Sequence, residues 1–105
     1  MSADLNFGLS KKTIESINSV FERYPAIEKA IIYGSRVKGN YRDGSDIDLT
    51  LKAPSLTTSE LLKIENELDD LLLPYKIDLS LFHQLSEQDI LDHIERVGVV
   101  FYSQN

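Results

Sequence analysis

Between Asp46 and Leu51 an acid or a threonine alternates with isoleucine or leucine at every step. Successive side chains of an extended strand point to opposite faces, so Ile47, Leu49 and Leu51 share one face and Asp46, Asp48 and Thr50 the other. A chain with such a segment has to build a sheet, and that sheet has to carry two carboxylates about 7 Å apart along one strand. Pro54 closes the run. Lys76 to Phe82 repeats the pattern, with Ile77, Leu79 and Leu81 opposite Asp78 and Ser80. Ala30-Ile31-Ile32-Tyr33 is apolar throughout and reads as a shorter buried strand, and Val99 to Tyr102 predicts a fourth.

Helical spacing fills the intervals. From Ser10 to Arg23, Ile14, Ile17, Val20, Phe21 and Tyr24 recur at helical spacing, with Ser10 suited to the N-cap and Pro25 ending the run. Thr57 and Glu60 have the spacing of a capping box; Leu61, Ile64, Leu68 and Leu71 then form one stripe, and Pro74 stops it. Ser86 can cap a last helix carrying Ile90, Leu91, Ile94 and Val97, with Gly98 at its C-terminal stop. The order α, β, loop, β, α, β, α, β predicts an α/β (α+β) layer structure in which helices cover one face of a small sheet. At 105 residues this is a single domain, residues 1–105, long enough for one core.

Composition removes several classes of function. The absence of cysteine excludes a disulfide framework, a thiolate zinc site and thiol catalysis. Eleven basic against 17 acidic side chains give a net charge of −6, which offers no general attraction to a phosphate backbone, so no direct nucleic-acid binding is expected. No apolar run approaches the ~20 residues of a membrane span, and Met1-Ser2-Ala3-Asp4-Leu5 lacks the basic-then-apolar order of a secretory leader. The expectation is a soluble, cytoplasmic protein.

Aspartate is depleted in strands because its short charged side chain competes for backbone groups and packs poorly. Here two predicted strands carry Asp46, Asp48 and Asp78. If the strands are neighbours, the three carboxylates share one space and repel by roughly 4 kcal/mol per pair at 4 Å and an effective dielectric near 20. A cation or a proton normally holds such a set together, and oxygen-only ligands favour Mg²⁺ or Mn²⁺ over zinc. The competing interpretation is a solvated sheet face that binds nothing. An EF-hand is excluded, because no glycine stands sixth from Asp43 or Asp46 and no glutamate closes either loop at the twelfth position.

The segment from Gly34 to Ser45 is polar, holds three of the five glycines and predicts a loop with at most one helical turn. Gly34-Ser35 follows a strand directly, which lets backbone N–H groups and a hydroxyl approach phosphate oxygens closely. Arg36, Lys38 and Arg42 add positive charge to the same segment. A plain hairpin turn at Asp43-Gly44 accounts for that dipeptide but not for Gly34-Ser35. A phosphate-cradling loop beside a carboxylate cluster is the constellation of metal-assisted phosphoryl or nucleotidyl transfer.

Gly34-Ser35, ten residues, then Asp46-Ile47-Asp48 resembles the signature of the DNA polymerase β-type nucleotidyltransferase superfamily. The fuller string, Gly34-Ser35-Arg36-Val37-Lys38-Gly39 to Ser45-Asp46-Ile47-Asp48-Leu49, is similar to its minimal branch of MNT/MntA antitoxin type, and the element order agrees over nearly the whole chain. The resemblance implies a mixed sheet flanked by helices, and two Mg²⁺ ions between the carboxylates and an ATP substrate. By position, Asp46 and Asp48 would hold the metals, and Asp78 would share one and help deprotonate an acceptor hydroxyl. Gly34 and Ser35 would bind the β- and γ-phosphates, with Arg36 and Lys38 helping to neutralise them. It further implies a HEPN-type toxin as partner, neutralised by transfer of AMP to it. A binding module that neutralises the toxin by occlusion, with idle catalytic residues, is the alternative. His83 is expected at a surface or edge and His93 in solvent, while core packing and loop anchoring account for Tyr33 and Tyr41.

Overall fold

The computed structural model describes residues 5–104; Met1 to Asp4, part of the segment read above for a leader, lie outside the described residues. A four-stranded mixed sheet organises the chain. Its strands are β3 (Lys29–Tyr33), β4 (Ile47–Lys52), β5 (Ile77–Leu81) and β6 (Val99–Ser103), in the spatial order β5-β4-β3-β6. β3 is antiparallel to both β4 and β6, whereas β4 and β5 run parallel. A parallel pair needs a crossover, and helix α3 (Thr58–Asp69) supplies it. The remaining elements are a short hairpin of β1 (Leu5–Asn6) and β2 (Leu9–Ser10), helix α1 (Lys11–Phe21), the single turn α2 (Ser35–Lys38), a 3₁₀ turn at Phe82–Gln84 and helix α4 (Gln88–Val97).

Local chemistry accounts for the helix starts. The Ser10 hydroxyl accepts from the Thr13 N–H at 3.1 Å, satisfying one of the donors a helix leaves open at its start. Thr57 and Glu60 form both bonds of the expected capping box. α1 and α3 place Ile17, Val20, Phe21, Ile64 and Leu68 against the face of the sheet formed by Ile32, Ile47, Leu49, Leu51, Leu79 and Leu81. Each fully buried leucine or isoleucine contributes roughly 1.5–3 kcal/mol, so this face is the main source of stability.

The helices do not all lie on one side. β3 buries Ile32 on the main face and Ile31 and Tyr33 on the opposite one, where Ile94 of α4 packs with Ile90 and Val97. A strand apolar on both faces needs a second layer, and α4 provides it. Two helix boundaries also differ from expectation. α3 ends at Asp69, before Pro74 is reached, and Leu72 turns the chain at φ 54°. The N-cap of α4 falls one residue beyond Ser86, because extended backbone continues through Glu87, which stands there without a side-chain capping bond. Gly98 does end α4, but at φ −62° rather than in the left-handed form. Its lack of a side chain serves close packing, since a Cβ there would stand 2.8 Å from Ile31 Cγ2. Among the described residues no helix is long and apolar enough to cross a membrane.

Candidate active site

The parallel pairing of β4 and β5 sets Asp48 directly beside Asp78 and Thr50 beside Ser80. Neighbouring strands lie about 4.8 Å apart, so the two carboxylates leave the sheet side by side on the face that α4 covers. One step further in, the Ser80 hydroxyl donates to Thr50 Oγ1 at 2.9 Å, which satisfies the fully buried threonine and ties the two strands together. Asp46 precedes β4 and is exposed, near enough for its charge to act on Asp48.

β3 ends opposite this pair, with Tyr33 in register with Asp48. Gly34 then turns the chain at φ 84°, ψ −155°, a conformation open to glycine and strained for any other residue. A second constraint acts at the same position. A Cβ on Gly34 would stand 2.3 Å from Asp48 Oδ2. Ser35 follows as the first residue of α2, and the Gly34 carbonyl accepts from the Val37 and Lys38 N–H groups at 3.2 and 3.1 Å. The glycine–serine turn and the carboxylate pair are therefore in contact.

α4 closes the other side of a cleft of about 400 Å³, lined by Tyr33, Gly34, Asp48 and Asp78 from the sheet and by Glu87, Asp89, Ile90 and His93 from α4 and its cap. His93, expected in solvent, is half-buried here. Its Nε2 accepts the Gly34 N–H at 3.1 Å, and its ring meets that of Tyr33 edge-on with centroids 6.0 Å apart. A larger hollow of about 520 Å³ lies further along α4 beside Ile31, Lys52 and Phe82, and it holds none of the motif residues.

The electrostatics follow from the crowding. Burial pushes the Asp48 carboxyl above the ordinary carboxylate range, and the negative charges of Asp78 and Asp46 push it further. Tyr33 is raised as well, by burial first and then by the charges of Asp48 and Asp78. The donor set is all oxygen and its members repel one another, which fits a hard divalent cation such as Mg²⁺. Among the described residues no three acidic or histidine side chains converge into a closed metal cage.

Arg36 and Lys38 stand apart from this cleft. Lys38 is exposed at the end of α2. Arg36, expected to meet phosphate, is 3% exposed and turned inward. Its Nε and Nη2 donate to the Ser45 carbonyl at 3.1 and 2.8 Å, and Nη1 donates to the Phe7 carbonyl at 2.9 Å. The guanidinium also lies over the rings of Tyr41 and Tyr75, at 5.2 and 4.8 Å from their centroids. Arginine buried among tyrosines fastens the loop that leads into Asp46, and the fork geometry suits it to that task. Tyr41 thus anchors the loop, as expected.

Comparison with known proteins places this geometry. Among curated proteins no relative matches the sequence. Solved structures are similar in fold at low identity. A toxin–antitoxin complex with AMP-PNP matches with a TM-score of 0.69 at 18% identity, over 91% of this chain and 75% of that one. A tri-AMPylated Shewanella oneidensis HEPN toxin in complex with MNT antitoxin gives 0.66 at 16%, over 90% and 72%. An MntA–HepT toxin–antitoxin complex gives 0.67 at 15%, over 90% and 74%. The family model described as "Polymerase beta, Nucleotidyltransferase" matches residues 15–105, a span that takes in the glycine–serine turn and all three aspartates. With that match over most of its length, the chain belongs to the polymerase β-type nucleotidyltransferase family.

Proposed function

We propose that this chain transfers AMP from ATP to a hydroxyl on a HEPN-type toxin and thereby acts as its antitoxin. The observation that carries the proposal is the contact between two halves of one site: the Gly34-Ser35 turn lies against Asp48, and Asp48 stands in register with Asp78. The first half offers backbone N–H groups and a hydroxyl to phosphate; the second offers negative charge to cations. The toxin–antitoxin complexes of the same fold, one with AMP-PNP and one with an AMPylated toxin, support the choice of nucleotide and partner.

In this scheme Gly34 and Ser35 bind the β- and γ-phosphates of the ATP substrate, while Asp46, Asp48 and Asp78 would hold two Mg²⁺ ions. Those ions, when bound, would stabilise the attacking and leaving oxygens and neutralise the developing charge. Asp78, which is exposed at the cleft, would accept the proton of the incoming hydroxyl. The hydroxyl oxygen bonds to the α-phosphorus, the bond from that phosphorus to the bridging oxygen breaks, and pyrophosphate leaves. Lys38, exposed at the end of α2, can help neutralise the triphosphate. Arg36 acts on the site only through the loop it fastens.

The test is incubation of the purified chain and its copurifying toxin with Mg²⁺ and ATP labelled at the α-phosphate. Label appears on the toxin with the wild type and is lost with Asp46→Asn or Asp48→Asn, each of which removes a charged ligand and keeps its shape. Toxin inhibition that needs no nucleotide and leaves no label would overturn transfer in favour of occlusion.

A further inference from the structure

The turn at Gly34 is held on two sides. Its carbonyl is fixed by the N–H groups of Val37 and Lys38, within its own helical turn. Its N–H is fixed by His93 Nε2, 59 residues along the chain on α4. These restraints act on different peptide planes: the carbonyl bonds orient the Gly34–Ser35 plane, and the histidine orients the Tyr33–Gly34 plane. Glycine lacks the Cβ that would otherwise restrict both. His93 is itself held, by the edge-on Tyr33 ring and by the packing of its neighbour Ile94 against Ile31 and Tyr33. A nitrogen that accepts a hydrogen bond carries no proton, so the ring is the neutral tautomer with its hydrogen on Nδ1.

We propose that His93 is a positioning residue for the phosphate turn: by accepting the Gly34 N–H it fixes the backbone that presents Ser35, so the turn meets a triphosphate already in its binding conformation. The inference rests on the reading that Gly34 and Ser35 take the phosphates. Pre-organisation raises affinity because the ordering of the turn no longer has to be driven by the ligand. Loss of one neutral hydrogen bond then weakens nucleotide binding by about three- to tenfold.

Three variants separate the hydrogen bond from mere packing. His93→Gln keeps an acceptor at similar reach, His93→Leu keeps bulk without an acceptor, and His93→Ala removes both. Binding of Mg²⁺–AMP-PNP to the full chain, measured by calorimetry, should weaken in the Leu and Ala variants and recover with Gln. Amide hydrogen exchange at Gly34 should be slow in wild type and Gln and faster in the other two. Nitrogen NMR of the wild-type ring, which needs no variant, should show the hydrogen on Nδ1. A proton on Nε2, or a Leu variant that binds like wild type, overturns the assignment. Tighter binding in the Ala variant overturns it too, because His93 would then be competing with phosphate for the Gly34 N–H. A wild type that does not bind AMP-PNP at all overturns the phosphate reading itself, a failure distinct from unchanged affinity among the variants.

Discussion

The Asp48 carboxylate occupies the space that a side chain on Gly34 would need, with Oδ2 2.3 Å from the position of the missing Cβ. The glycine–serine turn and the strand that carries Asp48 are thus fitted to each other at one point. Gly34→Ala should therefore suffer twice, from strain at φ 84° and from collision with Asp48. The strain alone costs about 1–3 kcal/mol. Denaturation of Gly34→Ala, Asp48→Ala and the double variant should show strong coupling, the second change recovering the collision but not the strain. Strict additivity would mean that the two residues are not in contact.

Asp48 should also lower stability at neutral pH when no metal is bound. Its carboxyl is raised in the folded state, first by burial and then by Asp78 and Asp46. The folded form then binds the proton more tightly than the unfolded form, so stability falls as pH rises through the folded-state pKa. Asp48→Asn removes that burden. Its melting temperature in EDTA should exceed that of wild type at pH 7, and the advantage should shrink on acidification to the ordinary carboxylate range and vanish below it. An advantage that persists unchanged at low pH would assign the effect to packing.

Mg²⁺ with ATP should reverse the comparison. A ligand that binds only the folded state stabilises it by RT ln(1 + [L]/Kd), about 2.7 kcal/mol at a hundredfold excess over Kd. Thermal shift should show this for wild type and much less for Asp48→Asn. Ser35→Ala should fall between, since it deletes one hydroxyl contact to phosphate worth roughly 0.5–3 kcal/mol. Full stabilisation of Ser35→Ala would leave phosphate binding to the backbone alone.

Arg36 should behave as a structural residue. Arg36→Ala strands the Ser45 and Phe7 carbonyls and removes the contact with two aromatic rings. The expected loss is about 2–4 kcal/mol of stability, measured by urea denaturation. Arg36→Lys should recover little, because one ammonium cannot reproduce the fork. A variant that folds as well as wild type but binds ATP weakly would return Arg36 to the phosphates.

The alternation at Asp46–Leu51 and Lys76–Phe82 was enough to put Asp48 and Asp78 on strands, because strand period is a local property, whereas Asp46, expected on the same strand, precedes it and is exposed. The side of the sheet that α4 covers was not local. Its signal lay in Ala30 to Tyr33, a strand apolar on both faces, which requires two layers. His93 had a signal as well: it stands three residues after Ile90 and four before Val97, on the apolar stripe of α4 rather than opposite it. Glu87 and Asp89 reach the cleft through the docking of α4, which no local pattern reports. The β1–β2 hairpin was missed because strands of two residues are too short to show a period. The role of Arg36 was misread because loop polarity describes composition, whereas its burial depends on Phe7 and Tyr75, which come from two other segments, as well as on Ser45 at the far end of its own loop.

The crossover through α3 ties two mutually repelling carboxylates to the same event that builds the core. β5 can bury Ile77, Leu79 and Leu81 against the α1–α3 layer in one register only, since a slip by one residue would turn the leucines outward and Asp78 inward. The acidic edge of the cleft is thus enforced from the far side of the sheet by oil rather than by ion chemistry. Substitutions at Leu79 or Leu81, which never touch the cleft, can therefore silence it by letting the strand lose its place.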